Sequence, residues 1–304
     1  MGYALHTAGV RVGVALPQYE IDRDPNGGGS IETLVATAQA AEASALDAVW
    51  LSDHPFAAGP DGTVSGALEP LVTAAAIARR TRRVEVGTLV LAATMRAPAL
   101  VAHTARSLPT GRITVGVGAG WYEPEHRAYG VERGTYVRRI ARVEATVAAL
   151  SALGPDGPRI LAGGTGARLL DVASLYADVW NVSWDVAPDV FASVSGRLDE
   201  ACERAGRDPG TIARSVGVTV LVGRDDRAIA SAVERLRGRA PFLSSIDRAS
   251  LAERIIVGTP ERCVERLVAY AADEVVVALL LRDDLEMLEL FATEVAPGLN
   301  AIRG

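Results

Sequence analysis

The stretch DAVWLSDH, residues 47–54, decides how the rest of the chain is interpreted. Its apolar run has the length of one β-strand and ends in an acid and an imidazole, Asp53 and His54. An apolar run without alternating polar residues is typical of a parallel strand that is buried on both faces. The polar pair at its end therefore indicates the point where a buried strand meets a candidate site.

Seven further runs of this kind are spread along the 304 residues. Stretches with helical periodicity separate them, so that strands and helices alternate from end to end. Eight such units predict a closed (β/α)8 barrel of the TIM type, as a single domain over residues 1–304, with an open doubly wound sheet as the alternative. The eight runs are RVGVALP (11–17), DAVWLSD (47–53), VEVGTLVLA (84–92), RITVGVGA (112–119), RILAGG (159–164), DVWNVS (178–183), ARSVGVTVLVG (213–223) and EVVVALLL (274–281).

Composition limits the kinds of partner. The formal net charge is −6, and the basic residues, all arginine, form no block typical of nucleic-acid binding. We see neither an apolar run long enough to span a bilayer nor a secretion signal, so we expect a cytoplasmic protein that acts on a small molecule. Cys202 and Cys263 lie far apart, and the four histidines lack metal-ligand spacing, so no metal site is expected.

In (β/α)8 barrels the site lies at the C-terminal ends of the strands. After the fifth run, GGTG (163–166) precedes a helix, and its glycines and the first helical N–H groups predict an anion site suited to phosphate. A tight turn that needs glycine for its backbone angles is the alternative. After the fourth run, GVGAGW (116–121) offers a glycine floor for a flat ring with Trp121 as a wall, or else close packing inside a narrow barrel.

His54 is the candidate catalytic residue, since an imidazole near its working pKa can donate or accept a proton. Asp53 is expected either to orient His54 or to bind a polar group of a cofactor. The loops 55–68, 121–134 and 239–255 shape the pocket, and FAAGPDGTVSGAL (56–68) has the composition of a mobile lid or a flexible surface loop.

These residues together resemble the luciferase-like flavin monooxygenase family, and within it the branch that uses the deazaflavin coenzyme F420. The resemblance rests on the order and spacing of "SDH", "GTLVL", "GVGAGW" and "GG-T-G", and it covers about residues 10 to 184. It implies a (β/α)8 barrel, a homodimer, and a flavin-like ring bound at the C-terminal ends of the strands.

The resemblance also implies roles for particular residues. His54 matches a histidine beside the reacting ring, Asp53 a residue that contacts the deazaflavin, and Leu89–Val90 a non-prolyl cis peptide behind the ring. The turn at 163–166 matches the phosphate-binding turn. The resulting cofactor-binding set is Asp53, Thr88, Leu89, Val90, Gly118, Gly120, Trp121, Gly163, Gly164, Thr165 and Gly166.

The chain departs from the family pattern where sugar phosphates are recognised. Members that oxidise a sugar phosphate carry Glu at the position of Trp121, and they use a lysine that this chain lacks. We therefore expect F420-dependent hydride transfer to or from another small organic substrate. The alternative is an FMN-dependent monooxygenase of the same fold. A barrel glycosidase, using acids among Asp53, Glu123, Asp185 and Asp283, and a non-catalytic flavin-binding protein remain as remote alternatives.

Overall fold

The computed structural model describes residues 9–19, 30–58, 62, 64–239 and 243–301. Eight parallel strands pair side by side, and the last also pairs with the first, so the sheet closes into a barrel. The predicted (β/α)8 barrel is confirmed and the open sheet is excluded. The barrel strands are β1 (Arg11–Ala15), β2 (Ala48–Leu51), β3 (Glu85–Thr88), β4 (Ile113–Gly118), β5 (Arg159–Gly163), β6 (Val179–Val182), β7 (Ala213–Val222) and β8 (Glu274–Leu279).

Helices surround the barrel. Pro70, Pro98 and Pro260 each begin a helix, where the missing proline N–H is not needed. No helix in the described ranges is long and apolar enough to cross a bilayer. The helices are α1 (Ile31–Ala43), α2 (Pro70–Arg80), α3 (Pro98–Ala105), α4 (Glu123–Ala128), α5 (Tyr136–Ser151), α6 (Ala167–Tyr176), α7 (Pro188–Ala205), α8 (Asp226–Arg237), α9 (Arg248–Ala252), α10 (Pro260–Val268), α11 (Leu285–Leu290) and α12 (Ala296–Ala301), with a π-helical turn at Phe291–Val295 and 3-10 turns at Ala93–Met95, Gly154–Asp156 and Pro209–Thr211.

Four short strands in the described residues lie outside the eight barrel strands. Ile256–Gly258 pairs with the end of β7, and Leu91–Ala92 continues β3 alongside β4. The segment predicted as a lid or flexible loop instead contains an antiparallel hairpin of Phe56–Ala58 and Val64–Gly66. Residues 59–61 and 63 of that segment, and residues 240–242 of the third pocket loop, lie outside the described residues.

The barrel interior is narrow and is filled by a few side chains. Its apolar cluster comprises Ala48, Trp50, Leu89, Leu161, Val179, Ala213 and Val276. The Trp50 ring lies over two glycines of the neighbouring strands. A Cβ on Gly13 would lie 2.5 Å from Trp50 Nε1, and one on Gly87 would lie 2.3 Å from Trp50 Cζ3. One large residue and two glycines therefore fill this layer together.

A charged layer closes the N-terminal end of the barrel. Arg11 Nη2 lies 2.8 Å from Glu85 Oε2, and Arg159 Nη2 lies 2.5 Å from Glu274 Oε1. Thr114 Oγ1 donates a hydrogen bond to Glu85. Burial alone lowers the pKa of the Arg11 guanidinium, but the charges of Glu85, Glu274 and Asp47 outweigh it and raise that pKa above its ordinary value. The layer is therefore held as alternating ion pairs.

Removal of one arginine from this layer tests its contribution to stability. We expect Arg159→Met to lower the free energy of unfolding by about 3–5 kcal/mol, because it removes one of the two guanidinium groups that neutralise the buried carboxylates of Glu85 and Glu274. The control is Arg224→Met, which breaks a surface pair whose side chains are 70% and 41% exposed, and which we expect to change stability by at most about 1 kcal/mol. Urea unfolding measures both, and equal effects would contradict the assignment.

Candidate active site

His54 lies at the mouth of the barrel and pairs with a carboxylate from another part of the chain. Its Nδ1 lies 2.8 Å from Glu125 Oε1, on the first turns of α4. The His54 side chain is 30% exposed, whereas that of Glu125 is 3% exposed. A buried carboxylate therefore holds one imidazole nitrogen while the ring remains accessible.

Aromatic side chains surround His54. Trp121 and Tyr122 meet its ring edge-on, with centroids 6.0 and 6.2 Å away, and Phe56 contacts Tyr122. Trp121 is 68% exposed, which is unusual for the largest apolar side chain and fits its predicted place as a wall of the site. Trp180, in contrast, is fully buried and stacks on Phe191 of α7, so it belongs to the core between barrel and helices.

Asp53 is buried beside His54, but the carboxylate that contacts His54 is that of Glu125. Asp53 accepts a hydrogen bond from the Ala92 N–H at 2.8 Å and pairs with Arg96 through both oxygens. Arg96 Nη2 also lies 2.7 Å from Glu69 Oε1. Burial lowers the pKa of the Arg96 guanidinium, but the two carboxylates raise it above its ordinary value. The expectation that Asp53 orients His54 is corrected, and its contact with a cofactor stays a prediction.

The end of β3 carries the backbone feature that the family resemblance implies. The Leu89–Val90 peptide bond is cis, as expected; a second non-prolyl cis bond, Ser183–Trp184, was not predicted. Thr88 Oγ1 donates to the Gly116 carbonyl at 3.0 Å and accepts from the Gly116 N–H at 2.9 Å. Thr88 therefore joins β3 to β4 at the place where the ladder would otherwise be interrupted.

Val90 covers the glycines that were predicted as a floor. A Cβ on Gly118 would lie 2.5 Å from Val90 Cγ2, and one on Gly163 would lie 2.9 Å from Val90 Cγ1. A Cβ on Gly116 would lie 2.1 Å from the Thr88 oxygen. These glycines therefore serve close packing. A flat ligand in the mouth would meet the half-buried Val90 side chain, with the glycines beneath it.

The predicted phosphate turn joins β5 to α6. The Gly164 N–H donates to the Asn181 carbonyl at 2.9 Å, and the Gly164 carbonyl accepts from Trp180 Nε1 at 2.8 Å. Gly164 has φ +137°, a conformation that only glycine adopts readily. Gly166 is the N-cap of α6, and Thr165 is exposed. Since the first N–H groups of a helix have no acceptor within it, the turn can hold an anion.

Two side chains of α5 lie beside this turn. The Tyr136 hydroxyl occupies the space next to Gly166, where a Cβ would lie 2.1 Å from it. The Arg139 guanidinium lies 5.8 Å from the Tyr136 ring centroid, and its Nη1 donates to the Gly120 carbonyl at 2.5 Å. Arg139 Nε is buried and has no hydrogen-bond partner among the described residues. Gly120, with φ +65°, thus belongs to the same corner as the turn at 163–166.

Two cavities lie on either side of the SDH segment. One of about 80 Å³ opens beside His54 and is lined by Leu16, Tyr19, Trp50, Leu89, Trp184 and Arg282. A larger one of about 410 Å³ lies outside it, against Asp53, Arg96, Met95 and Tyr129. The smaller cavity is lined by His54, the candidate catalytic residue, and the larger one is lined by the ion pair of Asp53 and Arg96. We therefore take the smaller cavity as the inner part of the site.

The acids considered for a glycosidase have other partners. Asp53 pairs with Arg96, Asp185 accepts from the Thr219 N–H and hydroxyl, and Asp283 lies 2.6 Å from Arg239. Glu123 lies 3.4 Å from Arg133. Carboxylates committed to ion pairs and backbone donors do not form the opposed pair that glycoside hydrolysis needs.

Sequence reasoning missed the three residues that complete the site, Glu125, Tyr136 and Arg139. The motif WYEPEH (121–126), directly after the fourth strand, places Glu125 near the strand end, but nothing in it indicates which residue Glu125 contacts. Tyr136 and Arg139 lack even that indication, because their place depends on how α5 packs against the barrel.

Comparison with known proteins identifies the fold family. Residues 10–155 and 141–275 match the family model described as luciferase-like monooxygenase. The chain belongs to this family. The matched ranges include β1 to β7 and the first residues of β8, together with every predicted site residue.

Curated relatives of this luciferase-like chain match it over different lengths. An F420-dependent glucose-6-phosphate dehydrogenase of Amycolatopsis mediterranei (strain U-32) is 37% identical over 118 residues, which is 38% of this chain and 35% of the relative. A phthiodiolone/phenolphthiodiolone dimycocerosates ketoreductase of Mycobacterium sp. (strain JLS) is 28% identical, covering 72% of this chain and 68% of the relative. A second F420-dependent glucose-6-phosphate dehydrogenase, of Kribbella flavida, is 29% identical over 79% of this chain and 80% of the relative.

Solved structures of two different activities share the fold. An F420-dependent secondary alcohol dehydrogenase in complex with an F420–acetone adduct superposes with a TM-score of 0.77 at 18% identity, over 96% of this chain and 99% of that one. EDTA monooxygenase from Chelativorans sp. BNC1 gives a TM-score of 0.77 at 15% identity, over 97% of this chain and 96% of that one. Equal TM-scores at such identities establish the luciferase-like barrel and leave the reaction open.

The packing of Val90 on the glycines can be measured. We expect Gly118→Ala to lower the free energy of unfolding by about 1–3 kcal/mol, because the new methyl group overlaps Val90. Val90→Ala removes that overlap, so the double variant should show a favourable coupling of about 0.5–3 kcal/mol in urea unfolding. Additive effects of the two substitutions would show that Val90 does not lie over Gly118.

Proposed function

We propose that this protein is a coenzyme F420-dependent oxidoreductase that transfers hydride to or from a small organic substrate. The observation that carries the proposal is the arrangement of the mouth, where the accessible imidazole of His54 and the side chain of Leu89 line one cavity. The glycine turn at 163–166 lies next to Val90 at the end of β5. Three curated relatives support it, because two are named as F420-dependent dehydrogenases and one as a ketoreductase.

Under this proposal the cofactor ring packs against Val90 and extends towards Trp121. Bound F420 would supply the hydride chemistry, and the protein supplies position and charge. Leu89 and Val90 form the ring-facing surface, and Gly118 and Gly163 allow Val90 to pack closely above them. Thr88 joins the end of β3 to β4 behind this surface. Asp53, at the end of the neighbouring strand β2, contacts a polar group of the cofactor.

The phosphate of the cofactor would bind at the corner formed by β5, α5 and α6. Gly163, Gly164, Thr165 and Gly166 offer backbone N–H groups and one hydroxyl. Arg139 adds a positive charge next to Gly120. Arg139 Nε, which is buried and has no hydrogen-bond partner in the described part of the chain, fits an anion, because an unpaired buried donor is otherwise costly.

His54 handles the proton that accompanies hydride transfer. Its ring lines the inner cavity, and an imidazole can both donate and accept a proton. The substrate class we propose is a small ketone, imine or alkene, or the corresponding reduced compound. Trp121 and the absence of lysine argue against a sugar phosphate.

The second candidate keeps the fold and changes the cofactor to FMN, with activation of oxygen and monooxygenation. The similarity to EDTA monooxygenase, with a TM-score equal to that of the F420-dependent alcohol dehydrogenase, favours keeping it. Both cofactors carry a planar ring and a phosphate, so the same turn and the same Val90 surface serve either.

Titration of the purified protein with F420 and with FMN separates the two candidates. We expect F420 to bind at least about ten-fold more tightly, which corresponds to about 1.4 kcal/mol. Reduced F420 should support substrate turnover without consumption of oxygen, and His54→Ala should abolish that turnover while cofactor affinity persists. Tighter binding of FMN together with substrate-dependent oxygen consumption would establish the alternative.

Substitution of Arg139 tests the phosphate corner. We expect Arg139→Gln to weaken F420 binding by about ten-fold or more, because a charge-assisted contact to the phosphate contributes about 1.5–3 kcal/mol. The affinity for the deazaflavin chromophore without its phosphate tail should remain unchanged. Arg138→Gln is the matched control, since the Arg138 side chain is 73% exposed and pairs with Glu132. Equal losses with both ligands would place the phosphate elsewhere.

We further propose that residues 1–304 form one domain that assembles as a homodimer in the cytoplasm. The pairing of β1 with β8 supports a single unit, because it joins the two ends of the barrel sheet. Val72 of α2 and Leu100 of α3 are 62% and 64% exposed, which supports an apolar contact between subunits. Light scattering of the purified protein tests the dimer, and Leu100→Glu should shift it towards monomer.

A further inference from the structure

We propose that Glu125 is a positioning residue that fixes the proton of His54 on Nδ1 and leaves Nε2 to exchange protons with the substrate. The proposal deepens the function proposed above and rests on it for its catalytic part. Its structural part, the tautomer of His54, stands on the contact between Glu125 and His54 alone.

Burial forces the Glu125 carboxylate to find a partner. Its side chain is 3% exposed, and among the described residues its one side-chain hydrogen bond is the 2.8 Å contact with His54 Nδ1. An ionised carboxylate can only accept hydrogen bonds, so the proton of this contact belongs to Nδ1 in both the neutral and the charged imidazole. The loss of that bond would leave a buried carboxylate unpaired, which is strongly unfavourable.

The neighbouring charged groups leave this pairing intact. Asp53, the residue before His54, is held by Arg96 and the Ala92 N–H. His126, the residue after Glu125, uses Nδ1 towards the Tyr122 carbonyl at 2.9 Å and Nε2 towards Thr94 Oγ1 at 2.7 Å. Tyr122 meets His54 only by its ring. Glu125 is therefore the carboxylate available to His54.

The chemical consequence concerns the proton of the substrate oxygen. In the oxidation of a secondary alcohol, the O–H bond breaks and its proton forms a bond with His54 Nε2. With oxidised deazaflavin bound, the C–H hydrogen would leave with its electron pair to that ring, so that the alcohol would become a ketone and the deazaflavin would be reduced. Glu125 stabilises the imidazolium that forms, and the reduction of a ketone runs through the same groups in reverse.

The first test reads the His54 tautomer directly by nitrogen-15 NMR of the histidine side chains, with His54→Gln used to assign the signals. In the wild-type protein we expect an Nδ1–H signal from His54. Glu125→Ala should remove that signal or accelerate its exchange with water by at least ten-fold. The Nδ1–H of His126 provides the internal reference and should not change. A wild-type His54 protonated on Nε2 alone would overturn the proposal.

The second test separates positioning from structure. We expect Glu125→Gln to lower kcat by about ten-fold or more, with KM and F420 affinity within two-fold of the wild type, because the amide keeps the shape and loses the charge. The matched control is Glu123→Gln, the same change two residues earlier, where the side chain is 57% exposed and the expected effect is nil. A Glu125→Gln variant with the wild-type kcat would overturn the proposal.

The outcomes also distinguish this inference from the proposed function. An inactive His54→Gln beside a fully active Glu125→Gln would refute the role of Glu125 and leave the redox function standing. A wild-type protein that neither binds F420 nor turns over would refute the proposed function, and the NMR measurement on the same protein would still decide the tautomer. If Glu125→Ala fails to fold, the Nδ1–H exchange rate is read in Glu125→Gln, where the weaker neutral acceptor should still accelerate it.

Discussion

The structure depends on the closure of eight parallel strands around an interior that holds very few side chains. Because β1 pairs with β8, the C-terminal ends of all strands meet on one rim. The narrow interior imposes glycines opposite large residues, as with Trp50 over Gly13 and Gly87. The same constraint acts at the rim, where Val90 lies over Gly118 and Gly163. Packing inside the barrel thus determines which surface a ligand meets.

The two ends of the barrel differ in their electrostatics. At the N-terminal end, Arg11, Arg159, Glu85 and Glu274 neutralise one another and close the interior. At the C-terminal rim the charges are arranged around open space, with the His54–Glu125 pair beside the inner cavity and Arg139 beside the phosphate turn. The charges at the N-terminal end pair with one another, whereas His54 and Arg139 lie where a ligand could reach them.

The strands and the position of His54 followed from the sequence because continuous apolar runs and their polar ends are local signals. The cis bond at Leu89–Val90 followed only from the family resemblance. Glu125 was not found, since its contact with His54 spans 71 residues and no periodicity encodes such a pairing. The glycines of GVGAG were ambiguous for a related reason: the sequence shows that a side chain is absent, and only the fold shows that Val90 occupies the space.

The central claim is that a planar, phosphate-tailed redox cofactor binds across the barrel mouth between Val90 and His54. A crystal structure of the protein with bound F420 tests this claim most directly. The account predicts the ring against Val90, its phosphate within hydrogen-bond distance of the turn at 163–166, and its reactive edge beside His54 Nε2. Cofactor density in the larger cavity beside Arg96 and Tyr129, with the mouth at His54 unoccupied, would contradict it.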